Sequence, residues 1–403
     1  MPTMKTRVIA ALWYLLLVNY LDRVAMGFAG PAIMKSLSMS PADFGLILSS
    51  FGLGYLLAQI PGGIMADRWG SRIILIIGPV MWALFTGATA FATTLVGLIT
   101  VRIVFGLSEG LLIAAIFKSV GDTFDSNERS RALAICLSAG ALGPLIAGPL
   151  VGSLLAAFNW QMVFFALAAP ALLASLIAYW ALPQRERKAS PRSTNQRYFL
   201  RMLSEPSFWL MGAAYLGYNI AFWGYLGWMP SYLAQAHHIN LKSMGILGGI
   251  PYAFGLVGLL LVGWLGGGLL RRYLSQTIVL SLLCAGIAEF LAYRAESLPY
   301  TLAGLCGAAF FLYGCWGSLG AFIIELAPPA QRATYAGGIS AAGQIGGLIA
   351  PGIVGFLVNA SGSFASGFGF MIAALGSAAA CMLALGRSHS RGLEMTHMFA
   401  EHQ

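Results

Sequence analysis

Long apolar runs separated by short polar breaks fill almost the whole chain. They lie near residues 7–30, 42–66, 72–92, 96–120, 130–157 and 160–181. A second set lies near 207–235, 243–269, 275–294, 299–324, 332–358 and 365–386. A helix needs about 20 mostly apolar residues to cross the hydrocarbon core of a bilayer. A membrane strand needs only about 10, far fewer than these runs contain. The pattern predicts twelve transmembrane helices.

Composition agrees. Of 403 residues, 58% are hydrophobic and 9% charged, against about 25% charged in soluble domains. Mean hydropathy is +0.78. The net charge of +9 raises the possibility of a polyanionic partner. Its distribution removes the need for one. With an inside N-terminus, Lys5, Arg7, Arg68, Arg72, Arg129, Arg131, Arg185, Arg187, Lys188, Arg192, Arg197, Arg201, Arg271, Arg272, Arg332, Arg387 and Arg391 all fall on the cytoplasmic side. The outer loops hold only Lys35, Lys242 and Arg294. This asymmetry is the positive-inside rule. It places both termini in the cytoplasm of a multi-pass protein of the plasma membrane, the inner membrane if the cell is Gram-negative. No nucleic-acid partner is expected.

Lys5 and Arg7 before an apolar run resemble a signal sequence, but no small-residue cleavage pattern follows. The run reads as an uncleaved first span. Cys136, Cys284, Cys306, Cys315 and Cys381 all fall inside predicted helices without metal spacing, as expected of reduced packing residues. The five histidines form no metal motif. No metal or cofactor is expected.

The longest polar interruption, P-Q-R-E-R-K-A-S-P-R-S-T-N-Q-R, starts at Pro183. It divides the chain into a six-helix half at 1–182, a cytoplasmic linker at 183–206, a second six-helix half at 207–386 and a tail at 387–403. The halves look alike. Residues 139–152 read A-G-A-L-G-P-L-I-A-G-P-L-V-G, and residues 342–355 read A-G-Q-I-G-G-L-I-A-P-G-I-V-G. An arginine precedes each, Arg129 and Arg332. Paired six-span halves are a transporter architecture with the substrate site near the midplane. Gly-rich faces let helices approach closely.

The first half buries charge. Asp22 and Arg23 interrupt the first span; Arg102 and Glu109 share one face of the fourth, seven residues apart. Four unpaired charges in a bilayer centre would cost on the order of 10 to 14 kcal/mol. They must pair or line a wet cavity. The cluster is formally neutral, and its arginines stay protonated. Only Asp22 and Glu109 titrate. A carboxylate substrate adds one negative charge, and protonating one acid restores neutrality. Arg23 offers the planar fork that suits a carboxylate. Glu109 is the expected main proton carrier and Asp22 the second, paired to an arginine between cycles.

G-I-M-A-D-R-W-G-S-R, from Gly63 to Arg72, resembles the signature loop of the major facilitator superfamily. The resemblance implies that Asp67 contacts the eleventh helix and lets go when the inner gate opens. It also implies twelve helices in two six-helix bundles with inverted repeats. The matching loop of the second half, G-W-L-G-G-G-L-L-R-R from Gly263, has no Asp. Further stretches are similar to the anion:cation symporter family within that superfamily. They are N-Y-L-D-R from Asn19, S-S-F-G-L-G-Y-L-L-A-Q-I-P-G-G from Ser49, R-I-V-F-G-L-S-E-G from Arg102, N-E-R-S-R-A from Asn127 and W-M-P-S-Y-L from Trp228. The likeness covers most of the first half well and the second loosely. Leu111 and Ala114 stand where the family often has proline, and Ile116 where it has a polar residue.

This resemblance implies uptake of a small organic anion, such as a sugar acid, with protons. It points to Asp22, Arg23, Arg102 and Glu109 and adds Tyr20 and Tyr55 as substrate contacts. The gating set is Gly63, Asp67, Arg68, Gly70, Arg72, Glu128 and Arg129. In the seventh span Tyr215, Tyr218, Asn219 and Phe222 share one face. Tyr218, Asn219 and Gln344 of the eleventh span are expected to meet substrate hydroxyls. Lys118 and Glu289 are expected to reach the membrane interface. The expected protein is a monomer in the lipid bilayer. The rival reading is a proton-driven exporter of drugs or metabolites, since A-L-G-P-L-I-A-G from Ala141 partly resembles an antiporter motif. No nucleophile–base or metal constellation suggests an enzyme.

Overall fold

The computed structural model describes residues 3–125, 128–184, 202–267, 273–327 and 332–400. Most of the linker, and Arg271 and Arg272 of the second-half loop, lie outside them. Every long element among the described residues is a helix. In the first half these are α1 (Met4–Leu37), α2 (Pro41–Trp69), α3 (Ser71–Thr89), α4 (Leu95–Gly110), α5 (Leu112–Thr123), α6 (Arg129–Ala157) and α7 (Trp160–Ala181). The second half holds α8 (Pro206–Ala236), α9 (Leu241–Gly267), α10 (Leu274–Arg294), α11 (Leu298–Leu326), α12 (Arg332–Ser361) and α13 (Phe364–Ala400).

Eleven of the described spans are long and apolar enough to cross a membrane, with α4 and α5 counted as one. The twelfth long helix, α8, carries no charge, but its Tyr, Trp and Gly residues dilute its hydropathy. Ile60 and Trp180 are each 76% exposed. Large apolar side chains turned outward along whole helices suit lipid rather than water. The chain is a multi-pass membrane protein.

The fourth span is not one helix. It breaks at Leu111, directly after Glu109 and Gly110. Leu111 N–H donates to the Glu109 carbonyl, a turn tighter than the α-helix.

The chain forms two compact units. One comprises Met1–Arg192, Tyr225–Ala253 and Pro351–Phe364; the other comprises Ser193–Gly224, Phe254–Ala350 and Ala365–Gln403. Within the first unit, α2 and α4 cross backbone to backbone. A Cβ on Gly54 would sit 1.9 Å from the Ile103 carbonyl oxygen, and one on Gly106 would sit 2.2 Å from that of Phe51. Only glycine allows this approach. It holds Phe51 and Tyr55 of α2 against the charged face of α4. Gly106→Ala should therefore destabilise the protein by about 1–3 kcal/mol, the usual overpacking cost. A thermal melt in detergent checks this, and an unchanged Tm would mean that the helices are free to separate.

At the N-terminal end of α2 the first unit is also tightly packed. Trp228 Nε1 donates to the Pro351 carbonyl at 3.0 Å, and Phe44 meets the Trp228 ring edge-on at 5.7 Å. The Gly352 N–H donates to Ser49 Oγ at 2.9 Å.

Candidate functional site

Four helices of the first unit converge on the charge cluster. Asp22 and Arg102 are 3% exposed and Glu109 only 1%. Arg23 donates from Nε and Nη2 to Glu109 Oε2, at 3.3 and 3.1 Å. Its Nη2 also donates to Asn19 Oδ1 at 3.4 Å. Three rings face the same guanidinium, Tyr55 at 4.5 Å, Phe51 at 4.9 Å and Tyr20 at 5.2 Å. Aromatic faces stabilise a desolvated cation. The site thus houses the Arg23 charge among rings and one carboxylate.

The other two charges are less satisfied. Arg102 lies over Phe105 at 4.8 Å and Phe51 at 5.0 Å, and forms no salt bridge among the described residues. Its Nε has no hydrogen-bond partner. Asp22 Oδ2 accepts from the Thr86 hydroxyl at 3.5 Å, while Oδ1 has no partner. Asp22 therefore does not make the arginine ion pair expected of it. One pair is closed, Arg23 with Glu109, and the Arg102 guanidinium is within electrostatic reach of Glu109 and Asp22 without a direct ion pair among the described residues.

Phe51, Trp82 and Thr86 were not singled out in the sequence. Phe51 lies one helical turn before Tyr55, so its place on the same face was legible from spacing. Trp82 and Thr86 come from α3, which carries no charge after Arg72. Nothing in the sequence marked them.

The expected contacts of the second unit sit in their own surroundings. Tyr218 stacks between Tyr215 and Phe222, and its hydroxyl donates to the Leu312 carbonyl at 2.9 Å. Asn219 Nδ2 donates to the Tyr215 carbonyl at 2.8 Å. Gln344 is half-buried on α12.

The residues expected to form the gate lie in the same unit, around the turn between α2 and α3 and the start of α6. Gly70 takes φ +89°, the left-handed conformation that the turn between α2 and α3 requires. Asp67 pairs with Lys118 at 3.4 Å. Lys118 thus bridges α5 to the signature loop and does not simply reach for the interface. Arg72 donates to the Leu182 and Tyr179 carbonyls at 2.9 and 2.8 Å, tying the start of α3 to the end of α7. Arg129 donates to the Phe124 and Gly121 carbonyls at 3.0 and 2.8 Å. Lys5 bridges Asp125 and Glu128, and its contact holds the Asp125 carboxyl below the usual range. Gly63 and Arg68 complete the loop.

Glu289 departs from expectation. It is 0% exposed on α10, and neither carboxyl oxygen has a hydrogen-bond partner among the described residues. It does not reach head groups. The isostere Glu289→Gln should keep wild-type uptake without lowering Tm, because no partner is lost. Lost uptake with an intact fold would give Glu289 a role in transport.

Comparison with known proteins identifies the family. The family model described as Major Facilitator Superfamily matches residues 12–288. The hexuronate transporter of Bacillus subtilis (strain 168) is 30% identical over 385 residues, covering 90% of each chain. The probable L-galactonate transporter of Escherichia coli (strain K12) is 26% identical, covering 89% of this chain and 84% of that one. The probable galactarate/D-glucarate transporter of Bacillus subtilis (strain 168) is 27% identical, covering 86% and 84%. Among solved structures, a bacterial homologue of the human lysosomal transporter Spinster, inward-facing and unoccupied, superposes with a TM-score of 0.82 at 19% identity. That match covers 96% of this chain and 98% of the other. The chain belongs to the major facilitator superfamily and is a multi-pass membrane transporter, not an enzyme.

Proposed function

We propose that the protein takes up a small organic anion, a sugar acid, together with protons by alternating access. The observation that carries this reading is the arginine arrangement. Arg23 is held by Glu109, and Arg102 is buried without an ion pair among the described residues, with Asp22 and Glu109 near enough to act on its charge. Two buried guanidinium groups ringed by Phe51, Phe105, Tyr20 and Tyr55 suit a carboxylate and repel a cationic drug. The relatives named for hexuronate, galactonate and galactarate supply the substrate class.

Coupling follows from the shared fork. Two of the five N–H donors of Arg23, on Nε and Nη2, are committed to Glu109 Oε2. A proton on Glu109 removes the charge that holds them. The fork is then released to a substrate carboxylate, and the cluster stays neutral. Anion and proton therefore travel together, one proton for one carboxylate. Asp22, held by Thr86, is a second carrier for a dianion. Tyr218, Asn219 and Gln344 remain the proposed partners of substrate hydroxyls. The gating set consists of Gly63, Asp67, Arg68, Gly70, Arg72, Glu128 and Arg129. The transporter works as a monomer in the plasma membrane with both termini cytoplasmic, which the Lys/Arg distribution supports.

Competition tests the substrate class. Uptake of a labelled hexuronate by proteoliposomes is measured against unlabelled aldonates, aldarates, aromatic acids and lipophilic cations. Sugar acids should compete and cations should not. Competition by cations alone would favour the exporter reading.

A further inference from the structure

A small cavity lies behind the Arg23–Glu109 pair. Its volume, taken as the room open to a water-sized sphere, is about 20 Å³. On that measure a single water needs about 10–15 Å³, so the cavity has room for one water and is far too small for a sugar. Leu15, Leu16, Leu112, Ile113 and Ile116 form the apolar part of its wall, and Asn19, Tyr20, Arg23, Tyr55, Trp82 and Glu109 the rest. Two of its lining residues carry polar atoms that are buried without a partner. They are the indole Nε1 of Trp82, on a side chain 0% exposed, and Oε1 of Glu109. One is a donor and the other an acceptor. The amide of Asn19 lines the same space. A buried water needs two to four polar partners, and this cavity supplies them. A buried indole N–H ordinarily has a partner, because leaving it bare is costly.

We propose that one ordered water occupies this cavity and bridges Trp82 Nε1–H to Glu109 Oε1. Trp82 is then a positioning residue for Glu109. The inference rests on the reading of Glu109 as the coupling carboxylate. While Glu109 is charged, the water accepts from the indole and donates to Oε1. The carboxylate thus has Arg23 on Oε2 and the Trp82 water on Oε1, beside the Asn19 amide that also favours its charged form. The other ionisable groups around Glu109 are Asp22 and Arg23 on α1, Tyr20 on the same helix, Tyr55 on α2 and Arg102 on α4. The part of α5 lining the cavity is wholly apolar. The α3 residue lining it, Trp82, is a donor that does not titrate.

Trp82→Phe keeps the ring and deletes the N–H. The charged form of Glu109 loses a donor, so its protonated form persists to higher pH. The pH midpoint of proton-driven sugar-acid uptake should move up by about one unit, the effect of one hydrogen bond to a charged group. The KM at saturating acidity should stay at the wild-type value. An unmoved midpoint overturns the bridge. A raised KM with an unmoved midpoint also overturns it, since the indole would then serve a substrate hydroxyl. Glu109→Gln, measured alongside, separates the two readings. If it keeps the wild-type pH dependence, the coupling role of Glu109 fails, whatever Trp82→Phe does. If Trp82→Phe does not fold, the wild-type protein decides through a structure that resolves waters. Density within hydrogen-bonding distance of both Trp82 Nε1 and Glu109 Oε1 is expected, and an empty cavity overturns the proposal.

Discussion

Arg23→Lys should raise the KM for a sugar acid by roughly 10- to 100-fold. The wild-type guanidinium sends two N–H groups to one carboxylate oxygen and lies over three rings. Lysine keeps the charge but loses both the planar fork and the stacking. A hydrogen bond to a charged group is worth about 1.5–3 kcal/mol, and each 1.4 kcal/mol is a factor of ten. Counterflow kinetics with a labelled sugar acid measures the effect without requiring a proton gradient. An unchanged KM would make Arg23 a charge that serves packing alone.

Glu109→Gln should abolish accumulation against a gradient while leaving exchange. The amide keeps the shape of the protonated acid but cannot give up a proton. Arg23 loses its counter-charge, so its fork stays open to substrate throughout the cycle. Accumulation driven by a pH gradient should fall to the equilibrium level, and counterflow should persist with a KM no higher than in the wild type. If proton-driven accumulation survives, the proton travels elsewhere, and Asp22 is the next residue to test. If exchange is lost as well, Glu109 holds the site together and does not merely couple it.

Much of this was legible in the sequence because the bilayer makes charge conspicuous. Asp22, Arg23, Arg102 and Glu109 stand out in apolar runs, and the charge count alone suggested their use. The signature loop from Gly63 stands out in the same way. What the sequence withheld was pairing. Whether Glu109 or Asp22 takes the Arg23 fork depends on helix rotation, which no spacing along one helix reveals. Spacing alone sends Lys118 to the interface, whereas α5 brings it to Asp67. A place near the end of a span suggests that Glu289 is exposed, whereas packing around α10 buries it fully. Trp82 was invisible for the opposite reason. In an apolar run a tryptophan is ordinary, and only a cavity and a bare N–H make it notable. The break at Leu111 was hidden because the run stays apolar through it.

The central claim is that a carboxylate and a proton cross together on a neutral cluster. Purified protein is reconstituted in liposomes with a pH-sensitive dye inside, and a sugar-acid monoanion is added outside. The lumen should acidify in step with uptake, one proton for each anion, and the rate should not respond to an imposed membrane potential. Anion entry without acidification, or alkalinisation on adding a lipophilic cation, would contradict the account.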